Sequence, residues 1–98
     1  MMQTKNFEGR KLLVVGGTSG IGLETAMMVA HEGGAIVVVG NRQEKAEAAR
    51  QQLAAITGED RAFALTADLS DFASVRTLID KLAREHNDID LLVNSAGI

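Results

Sequence analysis

The sequence predicts an α/β domain: a parallel sheet with helices on both faces. Three observations carry that expectation. Four short apolar runs alternate with three segments of helical periodicity. Those runs are apolar at successive residues rather than alternate ones, as strands buried on both faces require. A turn rich in glycine, "GGTSGIG" over 16–22, joins the first run to the first helical segment.

The elements follow in order. "KLLVV" (11–15) reads as a buried strand ended by glycine. From Gly20 to Glu32 the pattern is helical, with Ile21, Thr25 and Met28 or Val29 along one side, and Gly33 and Gly34 stop it. "AIVVV" (35–39) is β-branched and continuous, a second buried strand. Asn41 followed by Glu44 has the character of an N-cap and its capping-box partner. The helix after it places Ala46, Ala49, Leu53 and Ile56 on one face, and Gly58 closes it. "RAFALTA" (61–67) is a third strand. Ser70 or Asp71 caps a third helix with an inner face of Phe72, Val75, Ile79 and Leu82, ending near Asn87. "IDLLVN" (89–94) is the fourth strand.

The order is βαβαβαβ. Right-handed crossovers then set the strands in the order 3-2-1-4, the first half of a Rossmann-type doubly wound sheet. In that arrangement the fourth strand is an apolar edge, which natural proteins avoid. The expectation is that residues 1–98 are the N-terminal half of a longer domain, or only the ordered part of a longer chain; the alternative is a self-sufficient four-stranded domain.

Bulk composition narrows the function classes. Hydrophobic residues make up 46 % of the 98, which suits one globular domain and not a disordered chain. A net charge of −3, with no run of like charges, argues against nucleic acid or an anionic membrane as partner. No apolar segment approaches the length of about 20 residues that spans a bilayer. The absence of cysteine excludes a disulfide framework and a cysteine nucleophile, and fits a reducing, cytoplasmic location. No spacing suggests a metal site. His31 and His86 fall near helix ends without a nucleophile and acid in a catalytic arrangement, and Asp88 and Asp90 read as a turn.

The chemistry sits in the glycine turn. The first N–H groups of a helix lack internal partners and its dipole makes that end slightly positive, so a phosphate fits there if side chains stay clear. Gly16 permits the tight turn, Gly20 lets backbone approach a pyrophosphate, and Gly22 lets the helix lie close to the sheet. The candidate cradle is Gly16, Thr18, Ser19, Gly20, Ile21 and Gly22, with hydroxyl contacts available from Thr18 and Ser19. The alternative is a glycine turn that holds no ligand.

With the spacing G-x-x-x-G-x-G, the chain resembles the first half of a short-chain dehydrogenase/reductase over essentially its whole length. "VGGTSGIG" matches that family's opening motif except that Val15 stands for a threonine. Asp68 in "TADLSD" matches an acid after the third strand, and "NSAG" (94–97) matches N-N-A-G with Ser95 for the second asparagine. The resemblance implies that Asp68 accepts a hydrogen bond from the adenine amino group, with the Leu69 backbone beside it; otherwise Asp68 is a helix-capping acid. It implies that Asn94 ties the fourth strand to its neighbour, and that Ala96 and Gly97 leave room for the ribose between strands 1 and 4.

Cofactor choice turns on the end of the second strand. A NAD enzyme usually carries an acid there, about 20 residues past the glycines, to accept from the ribose 2′-OH. Asn41 holds that place and Arg42 follows. A guanidinium forms two charge-assisted hydrogen bonds to a phosphate, so NADP(H) is favoured over NAD(H). Glu44 counters this by adding negative charge, and Ser19 stands where NADP enzymes of the family often place a basic residue. The alternative is that Arg42 is solvated and Asn41 only a cap.

The resemblance further implies hydride transfer between nicotinamide and a carbonyl or secondary alcohol, assisted by a tyrosine, a lysine four residues later and an upstream serine. The 98 residues contain no tyrosine, so this apparatus is expected beyond Ile98. The leading reading is an NADP(H)-dependent oxidoreductase acting on a small-molecule substrate and, as the family commonly does, forming dimers or tetramers. A non-catalytic NADP(H) sensor is the second, and a different Rossmann enzyme such as a methyltransferase the third.

Overall fold

The computed structural model describes residues 6–96. Its elements are β1 (Lys11–Val15), α1 (Gly20–His31), β2 (Ala35–Gly40), α2 (Gln43–Thr57), a 3-10 turn (Glu59–Arg61), β3 (Ala62–Thr66), α3 (Phe72–Glu85) and β4 (Leu91–Asn94). All strand pairs are parallel and the order is β3-β2-β1-β4, as the sequence predicts.

The continuous apolar runs are explained by burial from both sides. Successive side chains of a strand point to opposite faces. Leu12, Val14, Ile36 and Val38 meet Ala26, Val29 and Ala30 of α1 and Ala49 and Leu53 of α2. Leu13, Val37 and Val39 form the other cluster with Leu78 of α3. The sheet is therefore covered by α1 and α2 on one face and α3 on the other. The register pairs Val15 with both Val39 and Asn94, and Gly40 with Thr66, so the carboxyl ends of all four strands finish nearly level. That brings the loops after them to one edge.

Two helix faces differ from expectation. On α1 the buried residues are Gly22, Ala26, Val29 and Ala30, while Ile21 is 80 % exposed and Met28 is also exposed. The start of α1 is pressed onto the end of β1 through Gly22, and this rotates a stripe of small residues inward. On α3 the stripe is Val75, Leu78 and Leu82; Phe72 is 79 % exposed and Ile79 is also outward. The sheet covers only one side of α3. Leu92, beside Leu13 on that same face, is 66 % exposed at the β4 edge. The N-cap of α2 is Arg42, not Asn41, and it makes no side-chain capping bond. Asp71 caps α3, accepting from the Ala73 N–H at 3.2 Å.

A polar cluster closes the amino end of the sheet. His86, just past α3, is only 6 % exposed and meets the Phe63 ring edge-on, with 4.7 Å between centroids. Lys11 Nζ lies 3.3 Å from His86 Nδ1, 2.9 Å from Asp88 Oδ1 and 5.0 Å above the Phe63 ring. An ammonium only donates, so Nδ1 accepts and the imidazole is neutral. Burial, and next the Lys11 charge, hold the His86 pKa below its ordinary value, against smaller opposing effects of Glu85 and Asp88.

Because the unfolded chain binds that proton more readily, stability is full above the ordinary histidine pKa and is lost as pH falls through the folded value. The urea midpoint of the full-length protein should therefore fall as pH drops below about 6.5. His86→Gln, which keeps an acceptor for Lys11 but cannot titrate, should flatten that part of the profile. An unchanged slope would place its origin elsewhere.

Candidate functional site

The site is built where β1, α1 and β4 converge. Gly16 has φ +82°, and its N–H donates to the Val39 carbonyl at 2.8 Å. A Cβ on Gly16 would stand 2.7 Å from the Ala96 backbone. One on Gly22 would stand 2.7 Å from the Gly16 carbonyl oxygen and would overlap Ser95 Oγ. Ser95 completes the knot: its N–H donates to the Val15 carbonyl at 2.8 Å, and its hydroxyl lies 3.1 Å from the Gly16 carbonyl.

This contact fixes where α1 begins and how it is aimed. Ser19 is its N-cap with extended backbone and no side-chain capping bond, and the first turn carries no acidic residue. The first-turn N–H groups are thus left without an intrahelical or capping partner, at the positive end of the helix dipole. Nothing lies within 4 Å of where a Cβ of Gly20 would be. The donor set and the open space fit a phosphate group.

Beside this start lies a cleft of about 410 Å³ at the carboxyl ends of the strands. Of the predicted site residues it brings together Gly16, Thr18, Asn41, Asp68, Leu69 and Ala96. Ser19, Gly20, Ile21, Gly22, Arg42 and Asn94 are outside its wall: the first four are the α1 start, and Arg42 follows Asn41. Gly97 lies outside the described residues. Val39, Gly40, Ala67, Ser70 and Ser95 also line the cleft, unforeseen as lining. Gly40 had a legible signal, a glycine closing a β-branched run. Its reason is tertiary: a Cβ there would stand 2.5 Å from Thr18 Cγ2.

Asp68 does not cap α3. Its Oδ1 accepts from the Ser70 N–H at 3.0 Å and the Ser70 hydroxyl at 2.6 Å. These two bonds, the hydroxyl's foremost, hold its carboxyl below the usual pKa, so it is an ionised acceptor at neutral pH. Among the described residues the Asn94 side chain makes one hydrogen bond, and it is local. Its Oδ1 accepts from the Ala96 N–H at 3.1 Å, shaping its own turn, and the Ser95 hydroxyl reaches the turn after β1, donating to the Gly16 carbonyl. Arg42 Nε donates to Glu44 Oε1 at 3.1 Å, with both side chains largely exposed. Glu44 thus serves Arg42 and does not close a capping box on Asn41. Among the described residues no cluster of histidine and carboxylates could hold a metal, and no helix is long and apolar enough to cross a membrane.

Comparison with known proteins agrees with this geometry. The family model described as short chain dehydrogenase matches residues 10–98. D-threitol dehydrogenase of Mycolicibacterium smegmatis is 43 % identical over 91 residues, covering 93 % of this chain and 34 % of its own. The chain thus spans about a third of the length of that relative. The NADP-containing C-domain of a bacterial malonyl-CoA reductase superposes with a TM-score of 0.82 at 29 % identity, over 94 % of this chain and 15 % of its own. NAD+-bound xylitol dehydrogenase gives 0.78 at 31 %, over 89 % and 33 %.

Gly9 and Gly16 have nearly the same φ, +81° and +82°, but a Cβ on Gly9 would meet nothing within 4 Å. Gly9→Ala should then cost only the left-handed backbone term, about 1–2 kcal/mol. Gly16→Ala should cost clearly more, because the Ala96 backbone must also move. Denaturant titration of the two variants in the full-length protein checks this; equal losses would remove the close approach as the reason for Gly16.

Proposed function

The chain belongs to the short chain dehydrogenase family, and on that premise we propose that the whole protein is an NADP(H)-dependent oxidoreductase. Its substrates are a small carbonyl compound or secondary alcohol. These residues hold the adenosine and pyrophosphate portion of the cofactor. Bound, the nicotinamide supplies or accepts hydride.

The uncapped start of α1 beside an open cleft at level strand ends is the observation that carries the reading. Ligands of open α/β sheets bind in the crevice beyond the carboxyl ends of the strands. The N–H groups from Gly20 onward receive the pyrophosphate, with Thr18 and Ser19 contributing hydroxyls and exposed Ile21 bordering them. Ionised Asp68 accepts from the adenine amino group, next to Leu69. Ala96 leaves the ribose its space.

The preference for the 2′-phosphate rests on the end of β2. Asn41 puts no negative charge there, and the Arg42 guanidinium is exposed and next to it. Solved relatives include one protein with NADP and one with NAD+, so the distinction falls on this chain's own residues.

Calorimetric titration tests the cofactor reading. In the full-length protein Arg42→Ala should weaken NADPH about ten- to hundredfold, the range of a hydrogen bond between charged groups, and leave NADH nearly unchanged. Equal losses for both would rule out the 2′-phosphate role. An NADPH-oxidation assay against a panel of aldehydes and ketones tests the activity. Tight NADPH binding without turnover across the panel in both directions would favour a cofactor sensor.

A further inference from the structure

Arg42 is not a free cation. Its Nε donates to Glu44 Oε1 at 3.1 Å, and the two side chains are 59 % and 67 % exposed, so solvent and ligand reach both. Two features favour the charged form of Glu44. It sits in the first turn of α2, where the helix dipole favours an acid. A hydrogen bond from its own backbone, and then the Arg42 bond, keep its carboxylate ionised. A phosphate approaching Arg42 therefore meets an ionised carboxylate that already occupies one edge of the guanidinium. The terminal nitrogens of Arg42 make no hydrogen bond among the described residues, so the other edge stays available.

We propose that Glu44 is a specificity-determining residue, which lowers the preference for a 2′-phosphate by sharing the Arg42 guanidinium and opposing the phosphate's charge. The inference rests on the cofactor reading above and deepens it. Arg42 attracts the phosphate and Glu44 offsets part of that attraction. Asn41 beside them neither attracts nor repels, so the end of β2 accepts both NADPH and NADH with a graded preference for the former. The local sequence "NRQE" thus holds an attractive and a repulsive element within one helical turn.

The test uses Glu44→Gln, Arg42→Ala and the double variant in the full-length protein. NADPH, NADH, adenosine 2′-monophosphate and adenosine 5′-monophosphate are titrated by calorimetry, so the readout is binding and not turnover. An exposed unit charge a few ångströms from a phosphate predicts that Glu44→Gln tightens NADPH and the 2′-monophosphate about three- to tenfold. NADH and the 5′-monophosphate should stay within about twofold, and the gain should shrink in the Arg42→Ala background to the part that direct repulsion supplies, as pairwise coupling through Arg42 requires. If Arg42→Ala selectively weakens NADPH but Glu44→Gln does not tighten it, this inference fails and the cofactor reading stands. A gain undiminished without Arg42 overturns the shared-guanidinium account. If Arg42→Ala weakens both cofactors alike, the cofactor reading fails and this inference with it.

Discussion

Three segments meet within van der Waals distance because two of the residues between them have no side chain. The turn after β1 passes under the end of β4 at Gly16, and the start of α1 rests on that turn at Gly22. Ser95 joins them with one N–H and one hydroxyl. From this contact follow the position of α1, the inward stripe of small residues along it, and the direction in which its first N–H groups point. A Cβ at either glycine would push apart the elements that frame the cleft.

The two ends of the sheet are chemically different as a result. At the carboxyl end, backbone donors and hydroxyls face open space, and the charged groups, Asp68 and the Arg42–Glu44 pair, keep contact with water. At the amino end, Lys11, His86 and Asp88 are linked to one another and His86 is packed on Phe63. A buried polar group is tolerated only when paired, and no buried side-chain donor or acceptor lacks a partner among the described residues. Exposed donors without partners at one end and mutually satisfied groups at the other are what separate a surface for a ligand from a closed base.

Much of this was legible in the chain. Continuous apolar runs gave the parallel sheet, and glycine spacing located the turn where a strand feeds a helix. The faces of α1 and α3 were not legible, because apolar residues occur on more than one side of each: Ile21 and Phe72 fit a helical stripe as well as Ala26 and Leu78 do. Only the pressure of the neighbouring layer selects one. The exchange of duties between Asn94 and Ser95 was hidden for a similar reason. Both are polar and adjacent, and which one reaches the Gly16 carbonyl after β1 depends on the strand pleat.

The sequence by itself determined the strand order, the placement of the glycine turn and the family, since these follow from local periodicity, handedness and residue spacing. The tertiary structure decided which side chains close the site and which close the opposite end of the sheet. Ser70 against Asp68, Thr18 against Gly40, Ser95 against Gly16 and Lys11 against His86 are settled by contact. Three of these four pairs join residues far apart in the chain, and a distance between such residues exists only once the sheet has brought them together.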